Sequence, residues 1–208
     1  ETEELVHLIK TEKIKYKRES AEVLEKEKGT KKNYASESIT ILDIGTGSGC
    51  IAVALKKNDI SASVYGLDIS ESALEVAKQN ALLNEVDITF FKYDILSNVP
   101  FSENEVKFDI IVSNPPYIAV SEKPFIAKNV VDYEPHLALF AVDTDPLLFY
   151  KAIINFALKY LKSNGRLYLE INQKMGMETK QLLVNAGFKN VALLKDLNAN
   201  YRIVKGNL

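Results

Sequence analysis

The chain has 208 residues, 47% hydrophobic and 26% charged, with a formal net charge of -2, the profile of one ordinary folded domain. No run approaches the roughly 18 apolar residues needed to span a bilayer, and no overall basic excess marks a protein built to grip duplex nucleic acid. A single cysteine, Cys50, excludes an intramolecular disulfide framework, and the acidic opening "ETEE" has the wrong charge for a signal peptide, so a cytoplasmic setting is expected.

In chain order, residues 1–10 predict a short helix with Leu5, Val6, Leu8 and Ile9 on its apolar face. Residues 12–38 turn rich in Lys and Glu and read as a solvated connector, so 1–38 is expected to precede a main domain over 39–208. From Ser38 strands and helices alternate. "ITILDIG" (39–45) predicts a strand and 48–57 a helix. "ASVYGLDIS" (62–70) predicts the next strand, followed by a helix over 71–84 with Ala73, Val76, Ala77 and Ala81 on one face. "DITFFKYD" (87–94) and "FDIIVSN" (108–114) predict the third and fourth strands, and 115–145 a long segment broken by prolines. A helix over 146–161, a strand over 165–172, a helix over 174–186 and two strands within 191–206 complete the series. This alternation predicts an α/β fold, a doubly wound and mostly parallel sheet with an antiparallel C-terminal hairpin. Ligands of such sheets bind beyond the carboxyl ends of the strands, near the switch point.

The residues that follow the strands are the ones with chemical character. Gly45-Thr46-Gly47-Ser48-Gly49 joins the first strand to its helix, and glycine at alternate positions permits positive φ and close ligand approach. The spacing is G-x-G-x-G, not the dinucleotide G-x-G-x-x-G, and the P-loop lysine is missing. A nucleoside without a pyrophosphate is therefore the expected ligand. Asp68 ends the second strand, where a carboxylate can accept both ribose hydroxyls; the competing use, an N-cap, can fall to Ser70. Asp94 ends the third strand, where it can accept an adenine amine with Ile95 against the ring, although Asp94 alone does not separate that from an ordinary loop start. Asp43 is a secondary candidate, for steadying the loop or for an amino group of the ligand. Cys50, His7 and His136 are far apart and give no metal-ligand spacing, so no metal is expected.

Together "LDIGTGSGCIAVALKK", "DIS…AL…AKQNA" and "FDIIVSNPPYI" resemble the class I S-adenosylmethionine-dependent methyltransferases that carry an NPPY motif. "ETEELV", "YEPHLALFA" (133–141), "LYLEI" (167–171), "AGF" (186–188) and "KDLNANYRIV" (195–204) narrow the likeness to the PrmC/HemK protein-(glutamine-N5) methyltransferases. The resemblance spans nearly the whole chain apart from 12–38. It implies S-adenosyl-L-methionine as cofactor and a class I peptide-chain release factor as protein substrate, without membrane or direct nucleic-acid binding. Family members carry a small N-terminal helical domain before an Arg-Pro-(Asp/Glu)-Thr-Glu segment. This sequence starts within that segment, at Glu1-Thr2-Glu3, so the domain is expected to be absent from it.

In such chemistry the acceptor is a planar NH₂ held in line with the methyl carbon and the departing sulfur, and positioning supplies much of the acceleration. The Asn114 side-chain oxygen can accept one N–H and the Pro115 carbonyl the other. Pro115 and Pro116 have fixed φ and no N–H, and Pro115 restricts Asn114 to extended backbone. Tyr117 can stack on the flat acceptor. The bland alternative, a proline-rich exit from a strand, accounts for one proline but not for the whole Asn-Pro-Pro-Tyr set. Catalytic roles are thus expected for Asn114, Pro115 and Tyr117, with Pro116 in the same acceptor wall and Asn114 expected to contact the cofactor as well. The frame suits any planar NH₂, so an adenine-N6 DNA or guanine-N2 RNA methyltransferase competes, as does a non-catalytic cofactor binder. Glu170 reads as a strand residue with a hydrogen-bonding partner, and Tyr133-Glu134-Pro135 as part of a wall or lid.

Overall fold

The computed structural model describes residues 2–12, 38–97, 101, 106–116, 118–119, 140–141 and 145–208. Helix α1 covers 2–12. It is followed by β1 (Thr40–Ile44), α2 (Cys50–Asn58), β2 (Ser63–Asp68), α3 (Glu71–Leu83), β3 (Thr89–Lys92) and β4 (Phe108–Ser113). Two short strands, β5 (Ile118–Ala119) and β6 (Phe140–Ala141), pair in parallel apart from the main sheet. Then come α4 (Leu148–Tyr160), β7 (Leu161–Glu170), a 3₁₀ turn (Gln173–Met175), α5 (Gly176–Asn185), β8 (Lys189–Lys195) and β9 (Tyr201–Asn207).

The seven-stranded sheet has the order β3-β2-β1-β4-β7-β9-β8. Pairings are parallel from β3 to β7 and antiparallel at β7–β9 and β9–β8, the doubly wound arrangement with a C-terminal hairpin expected from the alternation. The order reverses between β1 and β4, so that pair is the switch point. Central β4, "FDIIVS", is buried at every position, as a parallel strand covered on both faces must be.

The two faces carry separate cores. Leu5 and Ile9 of α1 and Ile51, Ala52 and Leu55 of α2 pack with Ile41, Ile110, Val112 and Tyr168 on one side. On the other, Tyr150, Ile153, Ile154 and Phe156 of α4 and Leu183 of α5 pack with Leu42, Ile44, Ile111 and Leu169. Helix α1 is tied down as well as packed. The Tyr168 hydroxyl donates to the Glu12 carboxylate at 2.9 Å, Arg166 donates to the Glu12 carbonyl at 3.1 Å, and Lys205 pairs with the same side chain. Glu12 thus anchors a helix end, although it opens a charge-rich stretch that otherwise lies outside the described residues.

Two expectations shift. On α3 the buried face is Leu74, Ala77 and Ala81, while Val76 is exposed, because the helix turns its one leucine of that stripe inward. Strand β7 starts at Leu161 instead of 165, since Leu161 already pairs with Phe108 before an irregularity in the β4–β7 ladder. No helix among the described residues is long and apolar enough to cross a membrane.

Candidate active site

Four adjacent strands deliver the candidate residues to one edge of the sheet. The glycine loop leaves β1, Asp68 ends β2, Asp94 follows β3 and Asn114 follows β4. All lie at carboxyl ends, because these strands run parallel in the order β3-β2-β1-β4.

The glycine loop is pinned to the end of β2 by three backbone donors. Gly45 and Thr46 N–H both donate to the Leu67 carbonyl, at 2.8 and 2.9 Å, and Gly47 N–H donates to Asp68 Oδ2 at 2.8 Å. Gly45, Gly47 and Gly49 all have positive φ, a region that L side chains rarely occupy. Their surroundings differ. A Cβ at Gly45 or Gly47 would meet open space, whereas one at Gly49 would come within 3.1 Å of Ala77 Cβ. Gly49 therefore serves the packing of the loop on α3, and the other two leave room above the loop. Ser48 is exposed, and its carbonyl accepts from the Asn80 side chain at 2.8 Å.

Asp68 is not an N-cap. Ser70 takes that role for α3 by accepting from Ala73 N–H at 3.2 Å, while Asp68 Oδ1 accepts from Ser70 N–H at 2.9 Å. Each Asp68 oxygen thus carries one backbone donor, and a carboxylate has further lone pairs for two hydroxyls. Asp94 Oδ1 accepts from Leu96 N–H at 2.9 Å and closes a turn. Ile95, in that turn, is half-buried against the core that includes Phe101 and Ile154.

Asp43 lies beneath the loop with no exposed surface. Its Oδ2 accepts from the Thr46 hydroxyl at 2.6 Å, so it steadies the loop, as one of its two expected roles required. Oδ1 has no hydrogen-bond partner of normal geometry among the described residues. Burial pushes the carboxyl up to about 7; the negative charge of Asp68 adds to that, and the Thr46 hydroxyl and the Ala52 backbone N–H oppose it.

At the end of β4, Asn114 and Pro116 are half-buried and Pro115 is buried. Tyr117, the fourth member of the motif, lies outside the described residues, as do Tyr133, Glu134, Pro135 and His136. Glu170 is buried and accepts from the Thr2 hydroxyl at 3.1 Å, a link between β7 and α1. Ser113 had no assigned role in the sequence; its hydroxyl donates to the Ile44 carbonyl at 2.7 Å, joining the ends of β4 and β1. A hydroxyl at the end of an otherwise apolar buried run was the available signal.

This donor set suits a nucleoside: open space above Gly45 and Gly47, a carboxylate with spare acceptor capacity at Asp68, and a second one at Asp94. Among the described residues no group of His, Cys, Asp and Glu is arranged to hold a metal ion.

A release factor glutamine methyltransferase from Flavobacterium psychrophilum is 48% identical over 207 residues, which is 100% of this chain and 66% of that protein. One of the same name from Bacteroides thetaiotaomicron is 42% identical over 167 residues, covering 80% of this chain and 59% of that protein. The chain thus spans less than two thirds of the length of either relative. A methyltransferase structure from Pyrococcus furiosus superposes with a TM-score of 0.59 at 18% identity, covering 82% of this chain and 75% of that one, and shows the shared fold. Residues 24–137 match the family model for the methyltransferase small domain, and the chain belongs to that family.

Proposed function

We propose that the protein transfers a methyl group from S-adenosyl-L-methionine to the side-chain amide nitrogen (N5) of a glutamine in a class I peptide-chain release factor. The observation that carries this reading is the meeting of two devices at the switch point: the glycine loop on β1 and the Asn114-Pro115-Pro116 run on the neighbouring β4. The names of the relatives supply the substrate, which the frame alone does not select.

Asp68 would hold the ribose hydroxyls, Asp94 would receive the adenine amine with Ile95 beside the ring, and the Gly45-Thr46-Gly47-Ser48-Gly49 loop would hold the rest of the cofactor. The bound cofactor supplies a methyl carbon on a positively charged sulfur that departs neutral. Asn114 Oδ1 accepts one amide N–H and the Pro115 carbonyl the other, which fixes the amide plane and aims its nitrogen lone pair at the methyl carbon. Once methylated, the amide nitrogen would be acidic enough to lose its proton to solvent, so these residues need supply no strong general base. The substrate belongs to translation, which places the protein in the cytoplasm.

Incubation with labelled cofactor, a release factor and separate DNA and RNA controls tests the reading. Label on one glutamine of the factor, located by mass spectrometry, is the expected result; label on nucleic acid overturns it.

A further inference from the structure

Strands β1 and β4 are fastened to each other at both ends by side chains. At their amino ends Asp109 Oδ2 accepts from Thr40 N–H at 2.8 Å and from Lys162 at 2.8 Å. At their carboxyl ends the Ser113 hydroxyl donates to the Ile44 carbonyl at 2.7 Å. The two fastenings sit at opposite edges of the sheet, and only the second lies at the candidate site.

The position of the second is specific. Ile44 and Ser113 are register partners in the parallel ladder. Each is the last residue of its strand, so the next residue on one side is Gly45, which opens the cofactor loop, and on the other Asn114, which opens the acceptor frame. Beyond these two residues the chains part, because β1 continues into α2 while β4 leads into the proline run. Ser113 has no exposed surface and follows Ile111 and Val112, which have none either. A hydroxyl placed there is unfavourable unless bonded, and an apolar residue would satisfy the packing.

We propose that Ser113 is a positioning residue: its bond to the Ile44 carbonyl sets the separation between the cofactor-holding and acceptor-holding halves of the site. This rests on the methyl-transfer reading above and deepens it. Most binding contacts do not depend on the separation, since Asp68 and the glycine loop lie on one side and Pro115 and Pro116 on the other. The transfer step does depend on it, because nitrogen, carbon and sulfur must lie in line across the seam.

The test compares Ser113→Ala, Ser113→Thr and Ser113→Val with wild type, using a release factor as acceptor. It reads kcat, KM for the factor, cofactor affinity by calorimetry and melting temperature. Ser113→Ala is expected to lower kcat about tenfold or more with KM and cofactor affinity within about twofold, the pattern of an interaction needed only in the transition state. Ser113→Thr keeps the hydroxyl and is expected to restore most of kcat. Ser113→Val adds similar bulk without the hydroxyl and is expected not to, so this pair decides even if the alanine variant fails to fold. Asp109→Asn, at the far end of the same two strands, is expected to lower the melting temperature and leave kcat unchanged. The proposal falls if Ser113→Ala keeps wild-type kcat, if Thr and Val are equally impaired, or if kcat and cofactor affinity decline together. Absence of any methylated glutamine with wild-type protein would instead refute the function itself.

Discussion

The two halves of the site hold their groups by different means. On the β1–β2 side the loop keeps its shape through hydrogen bonds from outside it: Leu67 O, Asp68 and Asp43 engage Gly45, Thr46 and Gly47, and Ser70 relieves Asp68 of capping. On the β4 side the shape is covalent, since Pro115 and Pro116 lack the N–H and the φ freedom by which a loop could rearrange. On the proposed reading, the surface that grips a flexible nucleoside has many separable contacts, and the surface that aims one amide has few and stiff ones. Losses on the first side should therefore appear as weaker binding, and losses on the second as slower transfer.

The largest expected effect is on the stiff side. Asn114→Ala should reduce methyl transfer by roughly 100-fold or more, the scale seen when a positioned polar group in an active site is removed, with cofactor affinity changed far less. Near wild-type turnover in a labelled-methyl assay would refute the acceptor clamp. On the other side, Asp68→Ala should weaken cofactor binding by about 10- to 100-fold through two lost charged hydrogen bonds. It also frees Gly47 N–H, and unchanged affinity in calorimetry would remove the ribose assignment.

Gly49→Ala tests the loop's packing separately from its ligand contacts. It forces an L residue to φ +82° and brings a Cβ within 3.1 Å of Ala77. A destabilisation of about 1–3 kcal/mol is expected in denaturant melts, with α3 loosened along with the loop. A stability equal to wild type would show that loop and helix are not coupled there.

A stability effect of comparable size is a dependence on pH. The Asp43 carboxyl is raised from 3.8 to about 7 by burial, so in the folded protein it keeps a proton that the unfolded chain releases. The folded state then binds the extra proton between those values, and stability falls as pH rises through that window. Asp43→Asn retains an oxygen for the Thr46 hydroxyl and cannot ionise. Its melting temperature should gain on wild type as pH is raised from about 5 to 7, and parallel curves would show that Asp43 is not the source.

Much of this was legible without coordinates, for a physical reason. Gly45, Gly47 and Gly49 state a demand of the local backbone, Pro115 and Pro116 state another, and strand periodicity places both demands at strand ends. The antiparallel hairpin followed from two short apolar runs around an Asn-rich turn, in which the Asp196 carboxylate accepts from Asn198 and Asn200 N–H. Ser70 was recognisable as the alternative to Asp68 because capping is a matter of near neighbours. What escaped were pairings over long distances in the chain. The Ser113 hydroxyl and the Ile44 carbonyl are 69 positions apart, and Tyr168 and Glu12 are 156 apart. The inward turn of Leu74 on α3 escaped for a related reason, since alternative apolar stripes were present and only the neighbouring surfaces chose between them.

By itself the sequence determined the class of fold and the order of the groups that follow the strands, because these depend on residue type and short spacing. The tertiary structure decided that Asp68 is bonded to the glycine loop, that Asp43 is buried beneath it, and that Ser113 ties β4 to β1. The Asp68 and Ser113 bonds arise only when separate strands lie side by side in register, since a hydrogen bond of 2.7–2.8 Å requires geometry that no spacing along one chain can specify; Asp43 bonds Thr46 only three positions away, and it is the packing around it that buries it.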